Sequence, residues 1–221
     1  MRLIGELFCT FFLVKLRSWQ EEKKVKKFYS TSPLFYRLEK ALKRAYFLQN
    51  PYQISRKFLT AKKEQDLHVY GETPLSSLEI IAKKCNLSSE DHLIDLGCGR
   101  GRALFFLTSH FGCTAVGIDW IPTFIEKAKN IAEKRGEKRI SFRCQDLSEC
   151  DLTDATVVYL AGTCMQEKEI KAIIQATEKL KKGAKVISVS FQLEAAHLKL
   201  EEQFEVPFLW GPATIFLHSR S

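Results

Sequence analysis

Three alternating glycines follow a short apolar run in the stretch LIDLGCGRGRA, and this junction constrains the fold more than any other feature. Glycine adopts backbone conformations closed to other residues, so Gly97, Gly99 and Gly101 predict a tight turn from a strand into a helix. Such a turn brings the amides of the helix N-terminus close to a ligand. The chain is therefore expected to contain a ligand-binding strand–turn–helix unit.

Short apolar runs alternate with longer helix-like segments beyond residue 74. The predicted strands lie near residues 92–96, 114–118, 139–144, 156–160 and 184–190, and the predicted helices near 102–111, 122–135, 166–180 and 193–200. This alternation is typical of an α/β fold with a Rossmann-like, doubly wound, mostly parallel sheet. The last two runs surround Trp210-Gly211-Pro212 without a helix between them, which predicts a hairpin and an antiparallel last strand.

The N-terminal third differs in composition from the rest. Residues 15–66 hold 14 lysines and arginines against five acidic residues, while the whole chain of 221 residues has a formal net charge of +8. We predict a basic, aromatic-rich helical extension over residues 1–66, with helices near 33–48 and 54–61, and a second domain over 67–221. The basic segment fits a solvated helical surface, and it also fits a platform for an acidic partner or a phosphate backbone.

The first 17 residues carry an apolar stripe. Glu6 and Lys15 leave only residues 7–14 uncharged, well short of the roughly 20 that a membrane span needs, and no small-residue cleavage site follows. The stripe predicts an amphipathic helix that packs on the protein or lies on a membrane surface as a peripheral anchor. Its members are Ile4, Leu7, Phe8, Phe11 and Val14.

The seven cysteines are odd in number and include no CxxC pair and no metal-like cluster. We therefore predict reduced, buried thiols, no metal site and a cytoplasmic location. Cys164 invites comparison with a covalent cytosine mechanism, but no proline precedes it. A buried, inert thiol is the favoured interpretation.

The acids around the glycine turn favour a cofactor that has no phosphate there. A dinucleotide site prefers glycine where Arg102 stands, and Asp95 would repel a pyrophosphate. Asp95 suits instead a cofactor with a cationic part. At the ends of the next two strands, Asp119 is placed to accept ribose hydroxyls, and Asp146 to accept an adenine amino group, with Leu147 beside the ring.

At these residues the chain resembles the class I S-adenosylmethionine-dependent methyltransferases, over about residues 70–221. The resemblance rests on D-x-G-x-G-x-G from Asp95 to Gly101, together with Asp119, Asp146 and the closing hairpin. It implies a seven-stranded sheet with S-adenosylmethionine as cofactor. Asp95 would lie near the methionine end, Asp119 on the ribose, and Asp146 with Leu147 at the adenine. Trp120 or Ile121 would flank the ring.

The stretch HVYGETP resembles a second group, the non-SET histone lysine methyltransferases of the disruptor-of-telomeric-silencing type. They carry Tyr-Gly-Glu-Thr about two dozen residues before the glycine loop, where it lies over the cofactor and shapes the opening for the methyl acceptor. The resemblance implies that Tyr70, Glu72 and Thr73 are cofactor-loop residues, and Glu72 is nominated as catalytic base. Thr73 is also expected to cap a helix opened by Pro74. The predicted cofactor-binding set is Tyr70, Glu72, Thr73, Asp95, Gly97, Gly99, Gly101, Asp119, Trp120, Ile121, Asp146 and Leu147.

These features predict a methyltransferase acting on a protein side chain such as lysine, with RNA, a small molecule or a lipid as alternative acceptors. After the fourth strand the chain has Ala161 and Gly162, whereas the histone methyltransferases have paired asparagines. An Asn/Asp-Pro-Pro-aromatic element, typical of base and amide methylases, is missing there. An NAD-binding oxidoreductase is disfavoured by Arg102, and a non-catalytic basic binding module by the intact cofactor residues.

Overall fold

Seven short strands form a single sheet in the computed structural model, which describes residues 2–64, 66–67, 70–161 and 165–221, with side chains from residue 14 onward. The strands are β1 (His92–Leu96), β2 (Thr114–Asp119), β3 (Ile140–Cys144), β4 (Val157–Leu160), β5 (Lys185–Val189), β6 (Leu198–Pro207) and β7 (Pro212–Arg220). The helices are α1 (Arg2–Thr31), α2 (Pro33–Ala45), α3 (Pro51–Ala61), α4 (Leu75–Lys84), α5 (Arg102–Phe111), α6 (Pro122–Arg135) and α7 (Glu167–Thr177).

The strand order is β3-β2-β1-β4-β5-β7-β6. Strands β3, β2, β1, β4 and β5 are mutually parallel, whereas β7 pairs antiparallel with both β5 and β6. This arrangement confirms the predicted α/β fold with its antiparallel last strand. The order reverses between β1 and β4, and in such sheets a ligand binds where the carboxyl ends of the strands meet that reversal.

One predicted helix is wrong, because residues 193–200 lead into strand β6 instead of forming a helix. The run from Leu198 pairs with β7, beginning opposite Arg220, and a bulge between Leu200 and Glu202 shifts the register. The leucine spacing favours a helix, but hydrogen bonds to β7 stabilise a strand here. Strand formation depends on cross-strand partners more than on the intrinsic preference of the residues.

Local caps set the limits of the helices in the extension. The Ser32 hydroxyl accepts a hydrogen bond from the Phe35 amide at 3.2 Å, and Asn50 Oδ1 accepts one from the Tyr52 amide at 2.9 Å. A proline follows each cap, at a position where no amide donor is needed. The predicted helices near 33–48 and 54–61 are therefore present. The first ends earlier than predicted, at residue 45, and the second begins earlier, at residue 51.

The extension packs into the same hydrophobic core as the sheet. Phe28 and Phe35 contact Phe106 of α5 with ring centroids 4.8 and 5.4 Å apart, and Leu38 and Leu42 of α2 are buried. One side of these helices is therefore core, and the lysines occupy the outer side. The division of the chain near residue 66 remains a prediction.

Helix α1 runs through the apolar N-terminal stripe. Within the described part of the chain, no helix combines the length and the apolar character needed to cross a bilayer. Most side chains of the stripe lie outside the described residues, so its packing on the protein or on a membrane stays a prediction.

The cysteine prediction holds with one exception among the described thiols. Cys85, Cys98, Cys113 and Cys150 are buried, but Cys144 is exposed. The prediction is wrong for Cys144. Alternation along β3 places it on the same side as the buried Ile140 and Phe142, but it is the last residue of this edge strand and is left exposed there. Cys9 and Cys164 lie outside the described side chains.

Candidate active site

A cleft opens at the carboxyl ends of β1, β2 and β4, where the strand order reverses. Of the twelve predicted cofactor residues, Gly101 alone does not line it. The other walls come from α3, from the residues that follow α3, and from the start of α7. The lining residues that sequence reasoning missed include Ser55, Leu59, Glu64, Asp66, Cys98, Arg102, Tyr159, Met165, Gln166 and Glu169.

The glycine turn has the backbone that its sequence predicts. Gly97, Gly99 and Gly101 all have positive φ angles, at 81°, 53° and 75°. Gly101 is the N-cap of α5, and a Cβ on it would stand 2.6 Å from the Phe142 ring, so a glycine is needed here for the turn to pack. A Cβ on Gly99 would meet the Tyr70 ring at 3.1 Å, which shows how closely residue 70 covers the turn.

Asp119 ties the turn to the end of β2. Its carboxylate accepts hydrogen bonds from the amide of Gly99 at 2.8 Å and from the amide of Ile121 at 2.9 Å. Burial raises the pKa of Asp119 to about 6, although these amide bonds favour the charged form. Asp119 therefore shapes the glycine turn, in addition to any contact with a ligand.

Asp95 is buried at the end of β1 and lines the cleft. Its carboxylate accepts no hydrogen bond from the residues that the structure describes. Burial, with a smaller contribution from the charge of Asp119, raises the pKa of Asp95 to about 7. A buried acid without a partner is costly, and a cationic ligand group would relieve that cost.

The third acid lies at the more open end of the cleft. Asp146 is exposed, and its Oδ1 accepts bonds from the Ser148 amide and hydroxyl at 2.9 and 2.7 Å, which lower its pKa. These bonds cap a short 3₁₀ turn, Leu147–Glu149. Trp120 also lines the cleft and meets Phe58 of α3 edge to face at 5.2 Å, and Ile121 is buried.

The YGET stretch is held against the glycine turn by an ion pair. Glu72 accepts hydrogen bonds from Arg100 Nε at 2.5 Å and Nη2 at 2.8 Å, and from the Tyr70 hydroxyl at 2.6 Å. Burial opposes ionisation of Glu72, yet the bonds from Arg100 hold its pKa below the usual value. Residues 68 and 69 of the HVYGETP stretch lie outside the described residues. Arg100 was missed because only the fold brings it to Glu72.

The predicted cap of the next helix is wrong. Helix α4 begins at Leu75 with Pro74 in the capping position, and no side chain caps it. The Thr73 hydroxyl lies instead 2.7 Å from the Tyr159 hydroxyl at the end of β4. A buried hydroxyl needs a partner, and Tyr159 supplies one, so Thr73 links the YGET stretch to the sheet.

The charge of the cleft opposes that of the whole chain. Seven of its lining residues are acidic and, among those described, one is basic, Arg102. The acids are Glu64, Asp66, Glu72, Asp95, Asp119, Asp146 and Glu169. No group of His, Cys, Asp and Glu among the described residues is arranged to hold a metal ion.

Known proteins share this fold and parts of this sequence. The model of a family described as the ANTKMT methyltransferase domain matches residues 95–199. A protein-lysine N-methyltransferase of Saccharolobus islandicus is 29% identical over 126 residues, which cover 56% of this chain and 77% of that protein. A 2-heptyl-1-hydroxyquinolin-4(1H)-one methyltransferase of Mycobacteroides abscessus is 39% identical over 56 residues, 25% of this chain and 24% of that one.

Solved structures agree on the fold. The crystal structure of an RNA methyltransferase from Salinibacter ruber in complex with S-adenosyl-L-homocysteine superposes with a TM-score of 0.58 at 24% identity, covering 68% of this chain and 94% of that one. The matched family segment starts at Asp95, the first residue of the glycine-turn motif, and ends at Lys199, where β6 begins. The chain is a class I S-adenosylmethionine-dependent methyltransferase.

Proposed function

We propose that this enzyme transfers the methyl group to a lysine side chain of a protein. The observation that carries the proposal is the acidic cleft. Among the described residues, seven acids and a single arginine line it, in a chain with a net charge of +8. A lysine ammonium is attracted to such a site, whereas a phosphate backbone is repelled. The similarity to a protein-lysine N-methyltransferase supports the same class of acceptor.

The acids at the sheet edge fit the cofactor. Asp95, which is buried and has no hydrogen-bond partner among the described residues, would hold a cationic ammonium. Asp119 would hold the ribose hydroxyls, and Asp146 with Leu147 the adenine. S-adenosylmethionine supplies a methyl group already activated by its sulfonium. The protein therefore has to hold the acceptor in line and exclude water, which are the contributions that positioning makes to catalysis.

Other acids remain for the acceptor. Glu64, Asp66 and Glu169 line the cleft but belong to α7 and to the segment after α3, away from the strand ends that carry the cofactor acids. They would draw in the cationic side chain. The phenol rings of Tyr70 and Tyr159 would then desolvate it, which lowers the pKa of an amine and favours the neutral nucleophile.

Glu72 has surroundings that argue against its predicted role as general base. Two bonds from Arg100 and the nearby charge of Arg102 hold it ionised with a lowered pKa, and a weakly basic carboxylate is a poor proton acceptor. We propose that Glu72 positions the YGET stretch. If E72Q keeps full turnover, Glu72 has no part in the acceptor chemistry.

The test is methylation of fractionated cell extract with radiolabelled S-adenosylmethionine. We expect label in protein, at lysine, and resistant to nuclease. The double variant E64Q/E169Q should raise KM for that acceptor several-fold and leave the cofactor Kd unchanged, since glutamine retains the capping bonds of α7. E133Q, an exposed glutamate of α6, is the control. Label confined to RNA or lipid would overturn the proposal.

RNA is the second candidate, supported by the basic balance of residues 15–66. In that case the label would enter nuclease-sensitive material, and acceptor binding would weaken steeply with salt. A flat salt response would count against RNA.

A further inference from the structure

The cofactor brings an anion into an acidic cleft. S-adenosylmethionine has a carboxylate on the same carbon as its ammonium, so both groups reach the methionine end of the site together. Asp95 suits the ammonium, but Asp95, Glu72 and Asp119 all repel the carboxylate. A cationic partner is needed there, and Arg102 is the one basic side chain among the described residues that line the cleft.

Arg102 is the first residue of α5, next to the glycine turn. Its side chain is 20% exposed. Arg102 Nε and Nη2 donate to the Glu39 carboxylate at 3.1 and 2.9 Å, while Nη1 lies 3.9 Å from the nearer oxygen of Glu72 and makes no hydrogen bond to the described residues. One edge of the guanidinium is therefore fixed, and Nη1 keeps its donors for a ligand.

The group that fixes Arg102 comes from the extension. Glu39 lies on α2 with a side chain only 3% exposed, and apart from Arg102 its nearest cation is Lys43 at 3.8 Å. A buried carboxylate paired in this fork geometry holds the guanidinium in one orientation. Sequence reasoning treated Arg102 only as a departure from a dinucleotide motif and did not consider Glu39.

We propose that Arg102 binds the carboxylate of S-adenosylmethionine, and that Glu39 is the positioning residue that orients Arg102. The N-terminal extension thereby completes the cofactor site. A plain structural role is the alternative, in which Arg102 only neutralises Glu39 and Glu72. The two differ in one respect, because only a carboxylate-binding arginine discriminates between ligands with and without that group.

The carboxylate-binding role and the structural role can be separated by measuring, with calorimetry, the affinity of the variant R102Q for different ligands. We expect the Kd of S-adenosylmethionine and of S-adenosylhomocysteine to rise about 10- to 100-fold, as for loss of a charge-assisted hydrogen bond. Decarboxylated S-adenosylmethionine, which keeps the sulfonium and the amine, should bind R102Q and the unaltered protein within about twofold of each other. Equal weakening of all three ligands would overturn the proposal, as would unchanged binding of all three.

The chain offers a matched control. Arg139 makes the same fork to the buried Glu137, at 3.0 and 2.8 Å, outside the cleft. R139Q should leave all three affinities unchanged. E39Q should weaken only the two carboxylate ligands, by less than R102Q does, and E137Q should weaken none.

A folding defect has its own check. If R102Q does not fold because Glu39 is left buried and unpaired, the double variant E39Q/R102Q removes both charges. It should fold and show the same selective loss. For each ligand, the Kd of the double variant is compared with that of the unaltered protein. An equal change in Kd for S-adenosylmethionine and for its decarboxylated form would contradict the proposal. The readout is cofactor binding, so it stands apart from the identity of the acceptor.

Discussion

Asp95 is the residue whose surroundings most directly indicate a cationic ligand. It is buried, it accepts no hydrogen bond from the described residues, and its pKa is raised to about 7. D95N should therefore weaken S-adenosylmethionine binding by about 10-fold or more, because a charge-assisted bond becomes a neutral one. Calorimetry measures this affinity. The control is D151N, because Asp151 is an exposed acid outside the cleft. Equal affinities for D95N and D151N would remove Asp95 from the site.

The same carboxylates predict a pH dependence. Asp95 and Asp119 have folded-state pKa values raised to about 7 and about 6, chiefly by burial. A raised pKa means that their contribution to stability is full below the unfolded value near 3.9 and is lost as pH rises through 6 to 7. A cationic cofactor binds the ionised form, so its affinity should increase from pH 5.5 to pH 8. Thermal stabilisation by S-adenosylmethionine should grow over the same range, and a flat or falling response would contradict this.

At the scale of an element, the turn into α5 was predictable and its contacts were not. The spacing of the glycines indicates positive φ angles, and all three have them. The Phe142 ring beside Gly101 comes from β3, about 40 residues further along the chain. The residues around Gly101 do not indicate which side chain will pack against it, because the contact with Phe142 forms only when β3 lies beside the neighbouring strands.

The variant G101A tests the backbone requirement and the packing requirement at this turn together. An alanine there meets both an unfavourable left-handed backbone and the Phe142 ring, so the free energy of unfolding should fall by about 2–4 kcal/mol. G183A is the control, because Gly183 has a φ of 85° but open space around its would-be Cβ. It should lose only about 1–2 kcal/mol. Urea denaturation measures both, and equal losses would contradict the packing argument.

At the scale of the whole molecule, the extension and the sheet should unfold as one unit. Phe35 of α2 is fully buried against Phe106 of α5. F35A should cost about 3–5 kcal/mol and keep a single cooperative transition, since the cavity lies in the shared core. The exposed neighbour Tyr36 gives the control, with Y36A expected to change stability little. Two separate transitions, or a loss confined to the extension, would establish an independent N-terminal domain.

The fold class, the glycine turn and the three acids near the strand ends could be predicted from the amino-acid sequence. These depend on residues within a few positions of each other, and hydrophobic period, backbone freedom and charge act over that range. The helix predicted for 193–200 was wrong because its fate depended on pairing with β7.

Which distant polar groups pair with each other depends on how the chain packs. The tertiary structure pairs Arg100 with Glu72 and Arg102 with Glu39, and it turns Thr73 toward Tyr159 and away from the helix it was expected to cap. Each of these contacts joins residues 28 to 86 positions apart. A buried charge or hydroxyl needs a partner, but it can take any partner that the packing brings within reach, and no spacing along the chain specifies which one.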